Sequence, residues 1–116
     1  MPFLNELVVK PATGREWELV EPLRYMTSGG RIIEVPAGFV CDLASIPAIA
    51  RPLFPVNGEW TEAAVVHDWL YDSQIGTRKE ADRIFLEAMT ELGVSRWRRR
   101  AMYSAVRIGG WVSWNN

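Results

Sequence analysis

The apolar residues of this chain change period once, near residue 40, and that change constrains the fold more than any other feature. Before it, β-branched and aromatic residues alternate with polar ones, the two-residue period of a half-buried strand. After it, they recur at three- and four-residue spacing, the period of a helix with one apolar face. Strands followed by helices predict an α+β domain: an N-terminal antiparallel β-hairpin or small three-stranded sheet, then three main α-helices. The chain has 116 residues, 48% of them hydrophobic and 23% charged. That length and composition suit a single domain over residues 1–116, with its β part in 1–40 and its helical part in 41–116.

In the first part, Trp17, Leu19 and Val20 form one run and Ile32, Ile33 and Val35 another. Thr27-Ser28-Gly29-Gly30 lies between them, with glycines suited to the positive φ of a tight turn, so the two runs read as a hairpin. Residues 7–9 are a candidate third strand, and Pro36-Ala37-Gly38 should end the sheet. In the second part, residues 43–50 suggest a short helical turn flanked by Pro47 and Pro52. A helix is expected over 61–73, because Ala64, Val65, Asp68, Trp69 and Asp72 follow helical spacing without a breaker, and Gly76 should close it. Thr77-Arg78-Lys79-Glu80 matches a capping box for a second helix, with Ala81, Ile84, Phe85, Ala88, Met89 and Leu92 on one side and Gly93 at its end. Ser95 is placed to cap a third, running through Trp97, Ala101, Met102, Ala105, Val106 and Ile108 toward Trp111. Trp97, Ala101 and Ala105 suggest its packing stripe, and Gly109-Gly110 weakens its last turn.

The residues best suited to chemistry cluster on the first two long helices. His67 and Tyr71 are four apart and share a face, while Asp68 points about 100° away. The following helix carries Asp82, and the short connection predicts antiparallel packing that brings Asp82 within reach of His67. A carboxylate on one imidazole nitrogen fixes the tautomer and stabilises the imidazolium, and the other nitrogen can then take a proton from water. Tyr71 can hold Asp82 in place, and Asp68 can bind a hard cation. The alternative is a hydrogen-bond network that only ties two helices together, and spacing alone does not choose between them.

The stretch His67-Asp68-x-x-Tyr71, followed by Ala81-Asp82-x-x-Phe85-Leu86, resembles the two core helices of secreted phospholipase A2 enzymes and of the related domain in parvovirus capsids. The resemblance implies a metal-assisted ester hydrolase acting on lipid. His67 would activate water, Asp68 would bind calcium, Asp82 would orient the histidine and Tyr71 would support it. The place of that family's glycine-rich calcium loop is held by Leu53-Phe54-Pro55-Val56-Asn57-Gly58-Glu59. Asp42 either caps the short helix or supplies the further metal ligand that this loop would provide. A runner-up mechanism makes Ser45 the nucleophile with His67 as base. Cys41, the one cysteine, rules out an internal disulfide and reads as a core thiol.

Over residues 36–114 the chain also resembles an uncharacterised family of small proteins encoded by tailed phages and prophages. The residues that carry this are Gly38-Phe39-Val40-Cys41-Asp42-Leu43-Ala44-Ser45-Ile46-Pro47, the HDWLY and AD-x-x-F stretches, and Met102-Tyr103-x-Ala105-Val106-Arg107. That resemblance implies a phage setting, in the bacterial host cytoplasm or the phage particle. It also supplies a non-enzymatic alternative: a virion or tail-assembly subunit, or an inhibitor of a host defence.

Charge is divided unevenly. All 14 acidic residues precede residue 95, where the net charge is −6, whereas residues 95–116 hold five arginines and no acid. Arg96, Arg98, Arg99 and Arg100, with Trp97, Trp111 and Trp114, suggest an interfacial surface for anionic lipid or another phage protein; nucleic acid is the less favoured partner. The opening residues lack a basic start followed by an apolar run, so no signal peptide is expected. No apolar run approaches the length of about 18 residues that a membrane span needs.

Overall fold

The computed structural model describes residues 3–12, 16–41 and 60–114. Among the described residues, five short strands precede four helices: β1 (Val9–Pro11), β2 (Trp17–Leu19), β3 (Leu23–Met26), β4 (Ile32–Val35), β5 (Val40–Cys41), α1 (Thr61–Ser73), α2 (Arg78–Glu91), α3 (Arg96–Gly109) and α4 (Trp111–Trp114). The α+β class is as expected from the change of period. The expected short helix at 43–50, with Asp42 and Ser45, lies outside the described residues.

The hairpin differs from its sequence reading. The partner of β4 is β3, with Leu23 opposite Val35 and Tyr25 opposite Ile33. Trp17 and Leu19 belong instead to a second sheet of order β1-β2-β5, in which Val9 faces Leu19 and Trp17 faces Cys41. The reason is local. Leu23-Arg24-Tyr25-Met26 alternates buried and exposed and abuts the turn at Thr27, whose N–H and carbonyl bond Arg31 and Gly30. A hairpin pairs the strands that its turn directly joins. Pro36-Ala37-Gly38 ends the β3-β4 sheet as expected, and the chain then joins the other sheet as β5, with the Gly38 N–H donating to the Leu19 carbonyl. Arg24 and Glu34 form an exposed cross-strand pair at 2.7 Å.

Every residue of α1 from Ala63 to Tyr71 is buried except the half-buried Trp69. A helix apolar around most of its circumference belongs in the centre of a domain. It packs against β4 and β5 on one side and against α2 and α4 on others. Its polar residues His67 and Asp68 are therefore carried into the core, where each needs a partner. The helix ends at Gln74, which takes the left-handed conformation at φ 52°, two residues before the expected Gly76. The capping box of α2 forms as read, the Thr77 side chain accepting from the Glu80 N–H and the Glu80 carboxylate accepting from the Thr77 N–H.

The third helix turns another way from its predicted stripe. Met102 and Val106 face the core, whereas Trp97 is 64% exposed. Arginines at 98, 99 and 100 occupy the flanks, and Trp97 instead lies beneath the Arg98 guanidinium, 5.7 Å from its ring centroid. Ser95 precedes the helix, but its side chain makes no capping bond.

Candidate functional site

Asp82 is wholly buried, and its two carboxylate oxygens divide their partners between helices. Oδ1 receives the His67 imidazole at 2.7 Å and the Tyr71 hydroxyl at 2.6 Å, both from α1. Oδ2 receives the Arg107 guanidinium from α3 at 2.8 Å and lies 3.5 Å from Arg78, one turn earlier on α2. Burial pushes the Asp82 carboxyl up, but the hydrogen bonds from His67 and Tyr71 and the Arg107 contact outweigh it, so its pKa lies below the ordinary value of 3.8. The ionised carboxylate only accepts hydrogen bonds, so His67 Nε2 must carry a proton and donate it. Burial, reinforced by the bond to Asp82, raises the Tyr71 hydroxyl pKa and keeps it a donor.

The His67 ring is held between Tyr71 and Phe85, with centroids 4.4 and 4.5 Å away. Trp114 presents an edge to Tyr71 at 5.2 Å. Gly110 allows this packing: a Cβ there would stand 2.5 Å from both the Tyr71 hydroxyl and the Val106 carbonyl. Arg78 reinforces the same corner by donating to the Val106 and Arg107 carbonyls at 3.2 and 3.3 Å, near the end of α3. A cation there satisfies orphan carbonyls and favours the negative end of the helix dipole.

Asp68 faces elsewhere. The Cys41 thiol on β5 donates to its Oδ2 at 3.0 Å, so residues adjacent in sequence look to opposite layers of the fold. Among the described residues, no group of three or more His, Cys, Asp or Glu side chains could hold a metal ion. Calcium takes about six to eight oxygen ligands, of which the described residues place the Asp68 carboxylate here, beside the Cys41 thiol. Asp42, the other expected ligand, lies outside the described residues.

The structure thus brings His67, Tyr71 and Asp82 together and separates Asp68 from them. Sequence reasoning missed Arg107, whereas the approach of Arg78 to Asp82, one turn on along α2, is legible in their spacing. The signal for Arg107 was its isolation from the other arginines, one turn after Tyr103 in an otherwise apolar stretch. Of the three tryptophans expected at a surface, Trp111 is 53% exposed and Trp97 more so, but Trp114 is spent on Tyr71.

Residues 17–106, which include His67, Tyr71, Arg78 and Asp82 and stop one short of Arg107, match the family described as proteins of unknown function, DUF1353. The chain belongs to the DUF1353 family. Among its relatives, the DUF1353 chain is 34% identical over 71 residues to uncharacterized protein y4iH of Sinorhizobium fredii, covering 60% of this chain and 30% of that one. It is 31% identical over 96 residues to uncharacterized protein y4jT of the same organism, covering 81% of this chain and 29% of that one. It therefore spans under a third of the length of these relatives. No solved structure matches it. No helix among the described residues is long and apolar enough to cross a membrane.

Proposed function

We propose that the His67–Asp82 pair is the general-base unit of a phage-encoded ester hydrolase of phospholipase A2 type. The observation that carries this reading is the sharing of Asp82 Oδ1 by His67 Nε2 and the Tyr71 hydroxyl, at 2.7 and 2.6 Å. With Nε2 committed to a carboxylate, proton exchange by His67 on this reading falls to Nδ1. It would draw a proton from water as the oxygen attacks the ester carbonyl, with Asp82 stabilising the imidazolium, and return that proton to the leaving alkoxide. On this reading the exposed Trp97 of α3, among arginines, and the exposed Trp111 at the start of α4 belong to the surface that meets anionic lipid.

A second reading is favoured by the other carboxylate oxygen. Arg107 and Arg78 already compensate the Asp82 charge, and His67 is only 1% exposed. These suit a non-enzymatic phage component, a virion or tail-assembly subunit or a defence inhibitor, in which the cluster locks three helices together.

His67→Gln separates the two, because a glutamine amide can still donate to Asp82 but cannot act as a base. Phospholipid and simple ester hydrolysis by the purified protein should fall at least about a hundredfold in the variant with the fold retained. Phage function that persists in the variant at a lowered melting temperature would reject the catalytic reading.

A further inference from the structure

A groove of about 420 Å³ lies between α2 and α3, and Asp82 is not part of its lining. Arg96, Arg99, Arg100, Tyr103 and Ser104 line its α3 wall, and Leu86 and Thr90 its α2 wall. None of these lining residues is acidic, and among the described residues none of the three arginines makes an ion pair. Arg99 is anchored by donating to the Val94 carbonyl at 2.9 Å, whereas Arg96 and Arg100 are exposed. Thr90 spends its hydroxyl proton on the Leu86 carbonyl, leaving the guanidiniums, Tyr103 and Ser104 as the groove's donors.

The placement runs against helix electrostatics. Arginines three and four apart repel one another, and positive charge in the first turn opposes the helix dipole. No acid stands in that first turn to offset them. Sequences break such local rules where a site requires it. A bound dianion would offset these unfavourable terms, and arginines lining one cavity supply the donors that phosphate oxygens take.

We infer that this α2–α3 groove is a binding site for a phosphate monoester. Its volume falls within the ordinary range for small-molecule pockets and exceeds the needs of a bare ion. Leu86 and the Tyr103 ring supply an apolar wall for the organic group. The site owes nothing to the His67–Asp82 chemistry and stands whether or not the protein is a hydrolase. The same monoester chemistry occurs on a free metabolite and on the headgroup of phosphatidic acid.

The test is thermal melting with glycerol 1-phosphate, against sodium chloride at matched ionic strength, on the wild-type chain and on the double variant Arg96→Gln/Arg100→Gln. Arg99 is left intact because it anchors Val94. The wild type should melt a few degrees higher in glycerol 1-phosphate, and the double variant should lose that rise, its affinity weakened about tenfold or more. Without ligand the variant should melt at or above the wild type, since repulsion is relieved. Flotation with phosphatidic acid against phosphatidylcholine vesicles assigns the source. Selective binding to the former, lost in the variant, marks a lipid headgroup; a response to the soluble ester alone marks a free ligand; either supports the site. An equal rise in chloride, a full response in the variant, or an unliganded variant melting well below the wild type would overturn it. So would tighter binding to duplex DNA than to the monoester at equal phosphate concentration, which would indicate a polyanion surface in place of a pocket.

Discussion

Arg107 sets its guanidinium 2.8 Å from Asp82 on the carboxylate oxygen that His67 does not use, so one buried acid joins the last long helix to the first. Removing the arginine leaves a carboxylate without exposure and with only the more distant Arg78 on that side. Arg107→Ala should therefore cost on the order of 2–4 kcal/mol, less than a fully isolated buried charge because Arg78 remains. Urea unfolding measures this, and a change under about 0.5 kcal/mol would show that the pair adds little.

Tyr71→Phe removes one of two donors to Oδ1 while keeping the ring against His67 and Trp114. A hydrogen bond to a charged acceptor contributes about 1.5–3 kcal/mol, and a loss near the lower end is expected because His67 still serves that oxygen. The same change should raise the Asp82 pKa, which NMR of the carboxyl carbon can follow against pH.

Acid sensitivity follows from the depressed Asp82 carboxyl. A group whose folded pKa lies below its unfolded value contributes stability that is present above the unfolded value, here 3.8, and lost as pH falls through the folded one. Chemical stability should therefore decline below about pH 4. In Asp82→Asn this group's share of the decline should vanish, at a lower stability throughout; an unchanged acid slope would assign the effect to other carboxyls.

Gly110→Ala places a methyl 2.5 Å from the Tyr71 hydroxyl and the Val106 carbonyl, one of which is rigid backbone. The strain should cost about 1–3 kcal/mol, lowering the melting temperature by several degrees. Gly30→Ala meets no neighbouring atom within 4 Å and tests a different cause, the positive φ of 86° alone.

Calcium titration tests the Asp68 carboxylate directly, and an unmoved melting temperature at millimolar concentration would count against a cation site there. A clear rise that disappears in Asp68→Asn would assign a cation site to this carboxylate.

The helical half of the fold was legible because its signals are local. The 61–73 helix, the Thr77–Glu80 box and the antiparallel approach of Asp82 to His67 all follow from spacing within a few dozen residues. The strand pairing was less so: Trp17 and Leu19 have the right alternation, but alternation does not name a partner, and Leu23-Arg24-Tyr25-Met26 is nearer the turn. The orientation of α3 was misread for a related reason. Trp97 is the largest apolar residue of its turn, yet the buried stripe follows Met102 and Val106, which α2 selects. Arg107 was invisible as a site residue because its partner is 25 positions away on another helix.

The saturation of Asp82 from three helices also bears on how the chain reaches its native state. With α1 docked on α2 but α3 absent, Oδ2 would lack its closest cation; with α3 docked and α1 absent, Oδ1 would lack both donors. Each partial assembly would hold a desolvated, half-satisfied charge, so neither should accumulate. The three helices are thus expected to assemble in a single kinetic phase, with a linear chevron and no burst-phase amplitude.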